Sequence, residues 1–243
     1  MVDGVLFDVD DTLVDTAGAF ASALAKVAAV YLPHLAPGRY PEVLATWRAD
    51  AGGHYRRYTR GEVDHATQRM ARANALHAQF GGPLLDRDGY RLWDDLFEES
   101  FASAWVAHDD AHVVLDTLAA AGVAVGALSN ATSAYQVGKL RRAGLARVPM
   151  LVGVDTFGVG KPDPRVFLEA CRLLGTEPAR TAYVGDELDI DALGAAAVGL
   201  VGVWIDRPGV RRVPVSAEEV RASRAAGIAV VSSLAEVPGR LRL

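Results

Sequence analysis

The chain has 243 residues, 51% of them hydrophobic and 23% charged, with a net charge of −5. That is ample apolar material for one large core or two modest ones, and scattered basic residues on an acidic balance exclude nucleic acid or an anionic membrane surface as the main partner. A single cysteine, Cys171, excludes an internal disulfide framework and a Cys-based zinc site. No apolar run approaches the ~20 residues of a membrane span and none resembles a presequence, so the expectation is a soluble, cytoplasmic protein.

In chain order, the apolar run Val5-Leu6-Phe7 reads as a buried parallel strand, and it ends abruptly in Asp8, Asp10 and Asp11. The period then changes: residues 17–32, 39–50, 62–80 and 88–106 carry apolar residues at helical spacing, closed by Pro33, Gly52-Gly53 and Gly81-Gly82-Pro83. No strand is expected between 17 and about 107. Beyond lie a helix over 109–121, a strand over 123–128 running into Ser129-Asn130, and a helix over 133–143. A strand over 150–154 leads to the loop 158–164 and a helix over 165–174, where Cys171 falls on the apolar stripe with Phe167 and Leu174. A strand over 181–184 runs into Gly185-Asp186-Glu187. A helix over 189–197, strands over 200–205 and 228–231, an exposed amphipathic helix over 216–224 and a short helix from 234 complete the chain. Strand-helix alternation with short connections specifies an α/β fold, a Rossmann-like parallel sheet with helices on both faces. The expected domains are a catalytic core of 1–15 with 108–243 and an inserted all-helical cap of 16–107, placed to act as a lid over the strand ends.

The acids at the first strand's end carry the chemistry. Open α/β sheets place ligands at the carboxyl ends of their strands. Two carboxylates about 4 Å apart repel by roughly 4 kcal/mol at an effective dielectric of 20, so a cluster needs a cation or a shared proton. Asp10 or Asp11 alone could cap a helix, but Asp8 sits directly against the strand and reads as a metal ligand. Gly185-Asp186-Glu187-Leu188-Asp189-Ile190-Asp191 repeats the pattern, with Asp186 against its strand and Asp191 behind it, while Glu187 and Asp189 suit a helix amino terminus. Ser129-Asn130 can hold a phosphoryl oxygen or cap the next helix. Lys161, in the stiff loop Gly160-Lys161-Pro162-Asp163-Pro164, is a point charge suited to phosphate; Pro162 rules out a nucleotide-binding glycine loop.

Asp8-x-Asp10-x-Thr12, Ser129-Asn130, Lys161 and Gly185-Asp186 with Asp191 resemble, in order, the four motifs of the haloacid dehalogenase superfamily, and the helical insertion between the first two resembles its cap. The resemblance implies a Mg²⁺-dependent phosphohydrolase working through an aspartyl-phosphate. Asp8 would be the nucleophile and Asp10 the general acid and base. Lys161 would offset phosphoryl charge, and Thr12, Ser129 and Asn130 would position the phosphoryl oxygens. Mg²⁺ would bind Asp8, the backbone carbonyl of Asp10, Asp186 and, directly or through water, Asp191. An acidic Asp10 argues against the dehalogenase branch, where no leaving group needs a proton; a phosphomutase of the superfamily stays open. A receiver-type signalling module is a different class, but its acceptor aspartate belongs where this chain has Ser129-Asn130. The expected partner is a small phosphorylated metabolite. In the insertion, His54, Tyr55, Arg56, Arg57, Tyr58 and Arg60 form either a solvated basic face or a recognition site for an anionic group, with Arg56 and Arg60 one turn apart if helical.

Overall fold

The first apolar run forms β1 (Gly4–Phe7), and all four residues are buried, so both faces of the strand are covered. It pairs in parallel with β2 (Ala124–Leu128) on one side and β4 (Thr181–Gly185) on the other, Phe7 lying opposite Ala127 and Val184. With β3 (Met150–Val152), β5 (Val201–Ile205) and β6 (Ala229–Val231) they make a six-stranded parallel sheet in the order β3-β2-β1-β4-β5-β6. This Rossmann-like order reverses between β1 and β4, which opens a crevice at their carboxyl ends. The chain therefore leaves three neighbouring strands at Asp8, Ser129 and Asp186.

The computed structural model describes residues 2–59, 62–209, 211 and 214–243. It divides into two compact units, Met1–Thr16 with Trp105–Leu243, and Ala17–Ala104. In the first unit, Leu6, Leu128 and Tyr183 from the sheet meet Val166, Phe167, Ala170 and Cys171 in one buried cluster. Cys171 is a packing residue there, and burial pushes its thiol pKa up. Each fully buried Leu, Val or Phe of this kind contributes about 1.5–3 kcal/mol. Just beyond β1, Leu13–Asp15 is clasped by the returning chain: Asp15 N donates to Val106 O at 3.0 Å and His108 N to Leu13 O at 3.0 Å.

Before the sheet resumes come α1 (Thr16–Tyr31), α2 (Tyr40–Ala49), α3 (His54–Thr59), α4 (His65–Phe80) and α5 (Arg87–Ser103). Local chemistry sets their ends. Asp64 accepts from Thr67 N at 2.6 Å to start α4, Gly81 ends it at φ 76°, and Asp86 caps α5 by accepting from Gly89 N at 2.8 Å. The unit is held by an aromatic stack in which Trp93 and Phe97 lie parallel with centroids 5.4 Å apart, flanked by Trp47 and Phe101. The sequence pattern ran α4 back to residue 62, but Asp64 caps it two positions later. It missed α3, whose residues Tyr55, Arg56, Arg57 and Tyr58 are exposed. Arg60 lies outside the described residues.

After the clasp, α6 (Ala111–Ala120) precedes β2, and α7 (Ser133–Arg142) follows it. α8 (Pro164–Leu174) starts with Asp163 accepting from Arg165 N at 3.0 Å and ends at Gly175, φ 78°. The region expected as one helix over 189–197 is a π-helical turn, Leu188–Leu193, followed by the short α9 (Gly194–Ala197). It packs so tightly on β5 that a Cβ at Gly202 would stand 2.3 Å from Ala192 O. α10 (Ala217–Ala225) opens with a Ser216/Glu219 capping box, and α11 (Val237–Leu241) closes the fold. Among the described residues, no helix is long and apolar enough to cross a membrane.

Candidate active site

The crevice between β1 and β4 collects the acids. Asp8, Asp186 and Asp191 each offer a carboxylate oxygen, and those oxygens lie within 4.8 Å of one another. Lys161 Nζ sits among them, donating to Asp8 Oδ1 at 2.6 Å, Asp191 Oδ1 at 2.6 Å and Tyr183 Oη at 2.8 Å. Tyr183, a β4 residue in the buried core, passes its own proton to Leu128 O at 3.0 Å and so fixes the lysine from below. Asp191 arrives from the π-helical turn, and its Oδ2 accepts from Glu187 N at 3.0 Å, so both its oxygens are engaged. A wide turn of this kind is a recurring feature of functional sites. Among the described residues no donor reaches the Asp186 carboxylate, while Trp204 Nε1 anchors its backbone carbonyl at 2.8 Å.

Burial makes this charge expensive. It pushes the Asp8 carboxyl up to about 7, against Lys161 and with help from Asp191 and Asp10. Asp186 rises well above the usual carboxylate range through burial and then the charges of Asp8 and Asp191, and burial raises Asp191 against the opposing Lys161. Burial alone would lower the Lys161 ammonium, but Asp191 and Asp8 carry it well above the ordinary lysine range. Three ionised carboxylates with one ammonium leave two negative charges uncompensated, and such a buried set fits a hard divalent cation with oxygen ligands. A second acidic group, Asp11 and Asp15 with His108, is only half-buried.

The loop that carries Lys161 is fixed by Asn130, whose Oδ1 accepts from Lys161 N at 2.6 Å while its Nδ2 donates to Lys161 O at 3.1 Å. Approach is so close that a Cβ at Gly160 would lie 2.3 Å from Asn130 Oδ1, which explains the glycine. The Asn130 side chain is thus engaged with the lysine loop, and neither it nor Ser129 caps α7, whose N-cap position is Thr132. Ser129 Oγ accepts from Ala131 N at 3.2 Å and Gln136 Nε2 at 2.8 Å. With both acceptor positions filled, its proton is left to donate. Thr12 is fully buried and its Oγ1 has no partner. An orphaned buried hydroxyl costs about 1–3 kcal/mol.

Asp10 is held apart from this cluster. Its Oδ1 accepts from Lys139 Nζ and, at 2.7 Å, from Thr16 Oγ1; its Oδ2 accepts from Gln136 Nε2 at 2.7 Å. Burial alone would raise its pKa, but the Lys139 charge and these hydrogen bonds outweigh it and hold the group below the usual carboxylate range. Sequence reasoning missed Gln136, Lys139 and Tyr183. The first two fall three positions apart on α7 with Leu140, and all three are buried, a burial that no local sequence pattern marks.

A family model described as haloacid dehalogenase-like hydrolase matches residues 2–199. The chain is 33% identical over 167 residues to a phosphoserine phosphatase from Thermus thermophilus, a match covering 68% of this chain and 59% of that protein, little more than half its length. It is 29% identical to a glyceraldehyde 3-phosphate phosphatase from Methanothermobacter thermautotrophicus, over 85% of this chain and 86% of the relative. The fold is similar to that of a hydrolase from Bacillus subtilis solved with magnesium bound (TM-score 0.74, 22% identity, 100% and 99% coverage). It is also similar to that of an L-2-haloacid dehalogenase from Xanthobacter autotrophicus (TM-score 0.69, 20% identity, 100% and 99% coverage).

Proposed function

Because the chain belongs to the haloacid dehalogenase-like hydrolases, we propose that it is a Mg²⁺-dependent phosphohydrolase that cleaves a small phosphate monoester through an aspartyl-phosphate. The observation that carries this reading is Lys161 Nζ bridging Asp8 and Asp191 beside the open carboxylate of Asp186, at the carboxyl ends of β1 and β4. An anionic nucleophile approaches a phosphate dianion only if positive charge is supplied nearby.

In the proposed reaction an Asp8 oxygen attacks phosphorus in line. The bond from phosphorus to the ester oxygen breaks, and Asp10, ionised in the free site and protonated as the phosphate dianion binds beside it, gives that oxygen a proton. Asp10 then takes a proton from the water that attacks the aspartyl-phosphate, releasing inorganic phosphate and regenerating Asp8. Ser129 donates to a phosphoryl oxygen, Thr12 supplies the second hydroxyl, and Asn130 keeps Lys161 aimed. Mg²⁺, held by Asp8, the Asp10 backbone carbonyl, Asp186 and Asp191 directly or through water, would add the positive charge that Lys161 alone cannot. Asp10 disfavours dehalogenation, in which no departing oxygen needs a proton. The helical unit is proposed as the cap that selects the substrate, a small phosphorylated metabolite, and the protein is proposed to be cytoplasmic.

The test is phosphate release from O-phosphoserine, glyceraldehyde 3-phosphate, phosphoglycolate and hexose phosphates, with Mg²⁺ or with EDTA. Turnover is expected with Mg²⁺ only, and Asp8→Asn should lower kcat by about 10³-fold or more. Isomerised hexose phosphate without phosphate release would instead identify a phosphomutase.

A further inference from the structure

Asp10 cannot aim itself. Its side chain lies at the crevice with 36% of its surface open, and a carboxylate there could rotate freely or swing toward the Lys161 ammonium. Three donors prevent this, and two of them come from one helix.

Lys139 is 2% exposed, unusual for a lysine in mid-helix. Its Nζ lies 5.3 Å from the ring centres of both Trp105 and Tyr135, which meet edge to face with centroids 5.4 Å apart. The two rings help desolvate the ammonium, and its Nζ meets Asp10 Oδ1. Gln136, three positions earlier on the same face and fully buried, uses its amide group twice: on Asp10 Oδ2 and on Ser129 Oγ. One side chain thereby fixes the distance between the proposed acid and the hydroxyl proposed to hold the phosphoryl group. The donors are also unequally shared. Oδ1 takes Lys139 and Thr16, whereas Oδ2 takes Gln136 alone and keeps room for a proton.

We propose that Lys139 and Gln136 are positioning residues for proton transfer by Asp10, locking Oδ1 and presenting Oδ2 to the departing ester oxygen. The inference rests on the phosphohydrolase reading. When the phosphorus–oxygen bond breaks, its electron pair goes to the leaving oxygen, and the proton on Oδ2 moves to that oxygen. A misaimed Asp10 slows this step only for leaving groups that need the proton, because general acid catalysis, worth about 10²–10⁴-fold, depends on geometry.

The experiment compares kcat/KM for O-phosphoserine, an alkyl ester, with that for 2,4-dinitrophenyl phosphate, whose phenolate departs unaided. Lys139→Met should lower the alkyl value about 10- to 100-fold and the aryl value less than about threefold. Gln136→Met should lower the alkyl-to-aryl ratio in the same sense, and it carries the test if Lys139→Met does not fold. An unchanged ratio in the folded variants, whether both substrates slow equally or neither slows, overturns the inference. Asp10→Asn, run in parallel, separates the two layers. If its ratio falls while those of Lys139→Met and Gln136→Met do not, only the positioning role is lost; if its ratio also stays constant, the role of Asp10 in the phosphohydrolase reading falls with it.

Discussion

Thr12 shows how one atom separates stability from function. Its Oγ1 is buried with no partner, so the folded protein carries an unsatisfied hydroxyl. Thr12→Val removes that group at nearly constant volume. Thermal stability is expected to hold or rise slightly, while kcat/KM for a phosphate monoester falls about tenfold, consistent with a hydrogen bond made only to substrate, worth about 1–1.5 kcal/mol. A melting curve and steady-state kinetics on one preparation check both halves, and a drop in Tm without a kinetic change would assign Thr12 to the fold. Asp8, Asp10, Thr12, Ser129 and Asp186 were legible in the sequence because each closely follows an apolar strand, where a polar residue has no packing reason to be. Gln136 and Lys139 were not, since along an isolated helix a buried polar residue looks the same as a solvated one.

At the scale of elements, the π-helical turn decides where Asp191 points. A regular α-helix was expected over that stretch, and the wider turn instead brings Asp191 back beneath Gly185. There a Cβ at Gly185 would meet Asp191 Oδ2 at 2.3 Å and Cγ at 2.4 Å. Gly185→Ala therefore displaces the carboxylate that Lys161 and Glu187 N share. The expected result is a native far-UV spectrum with Mg²⁺ affinity or activity lowered about 10- to 100-fold, the usual cost of disturbing groups that orient metal ligands. Isothermal titration with Mg²⁺ and kinetics read the effect directly. The period-3.6 pattern located this segment correctly as helical, but hydrogen-bond register within a helix depends on what the turn packs against, here β5 with its glycine at 202.

Across the whole molecule, the crevice is a store of repulsion that couples pH, metal and stability. Asp8 binds its proton more tightly folded, about 7, than in the unfolded chain, about 3.8, and Asp186 and Asp191 shift in the same direction. Between those values the unfolded state ionises first, so the metal-free protein should lose stability as pH rises from about 4 to about 7. Mg²⁺ binds the ionised, folded site and should flatten that slope, adding about 2.7 kcal/mol at a concentration 100 times its Kd. Urea midpoints at pH 5 and 7.5, with Mg²⁺ and with EDTA, test both signs. Equal midpoints in all four conditions would show that the acids are not linked to folding.

By itself the sequence determined the kinds of element and their order: period 2 or continuous apolar runs for strands, period 3.6 for helices, glycines and prolines at the breaks. It also marked the acids that no core would tolerate. These are local properties, set by a few neighbouring side chains. Tertiary structure alone decided which residues meet. The strand order that puts β1 beside β4 brings Asp8 to Asp191 across 183 positions of chain, and the packing of α7 gives Asp10 a lysine 129 positions away. Contacts at that separation are fixed by sheet topology and burial together, and neither is written in any local stretch.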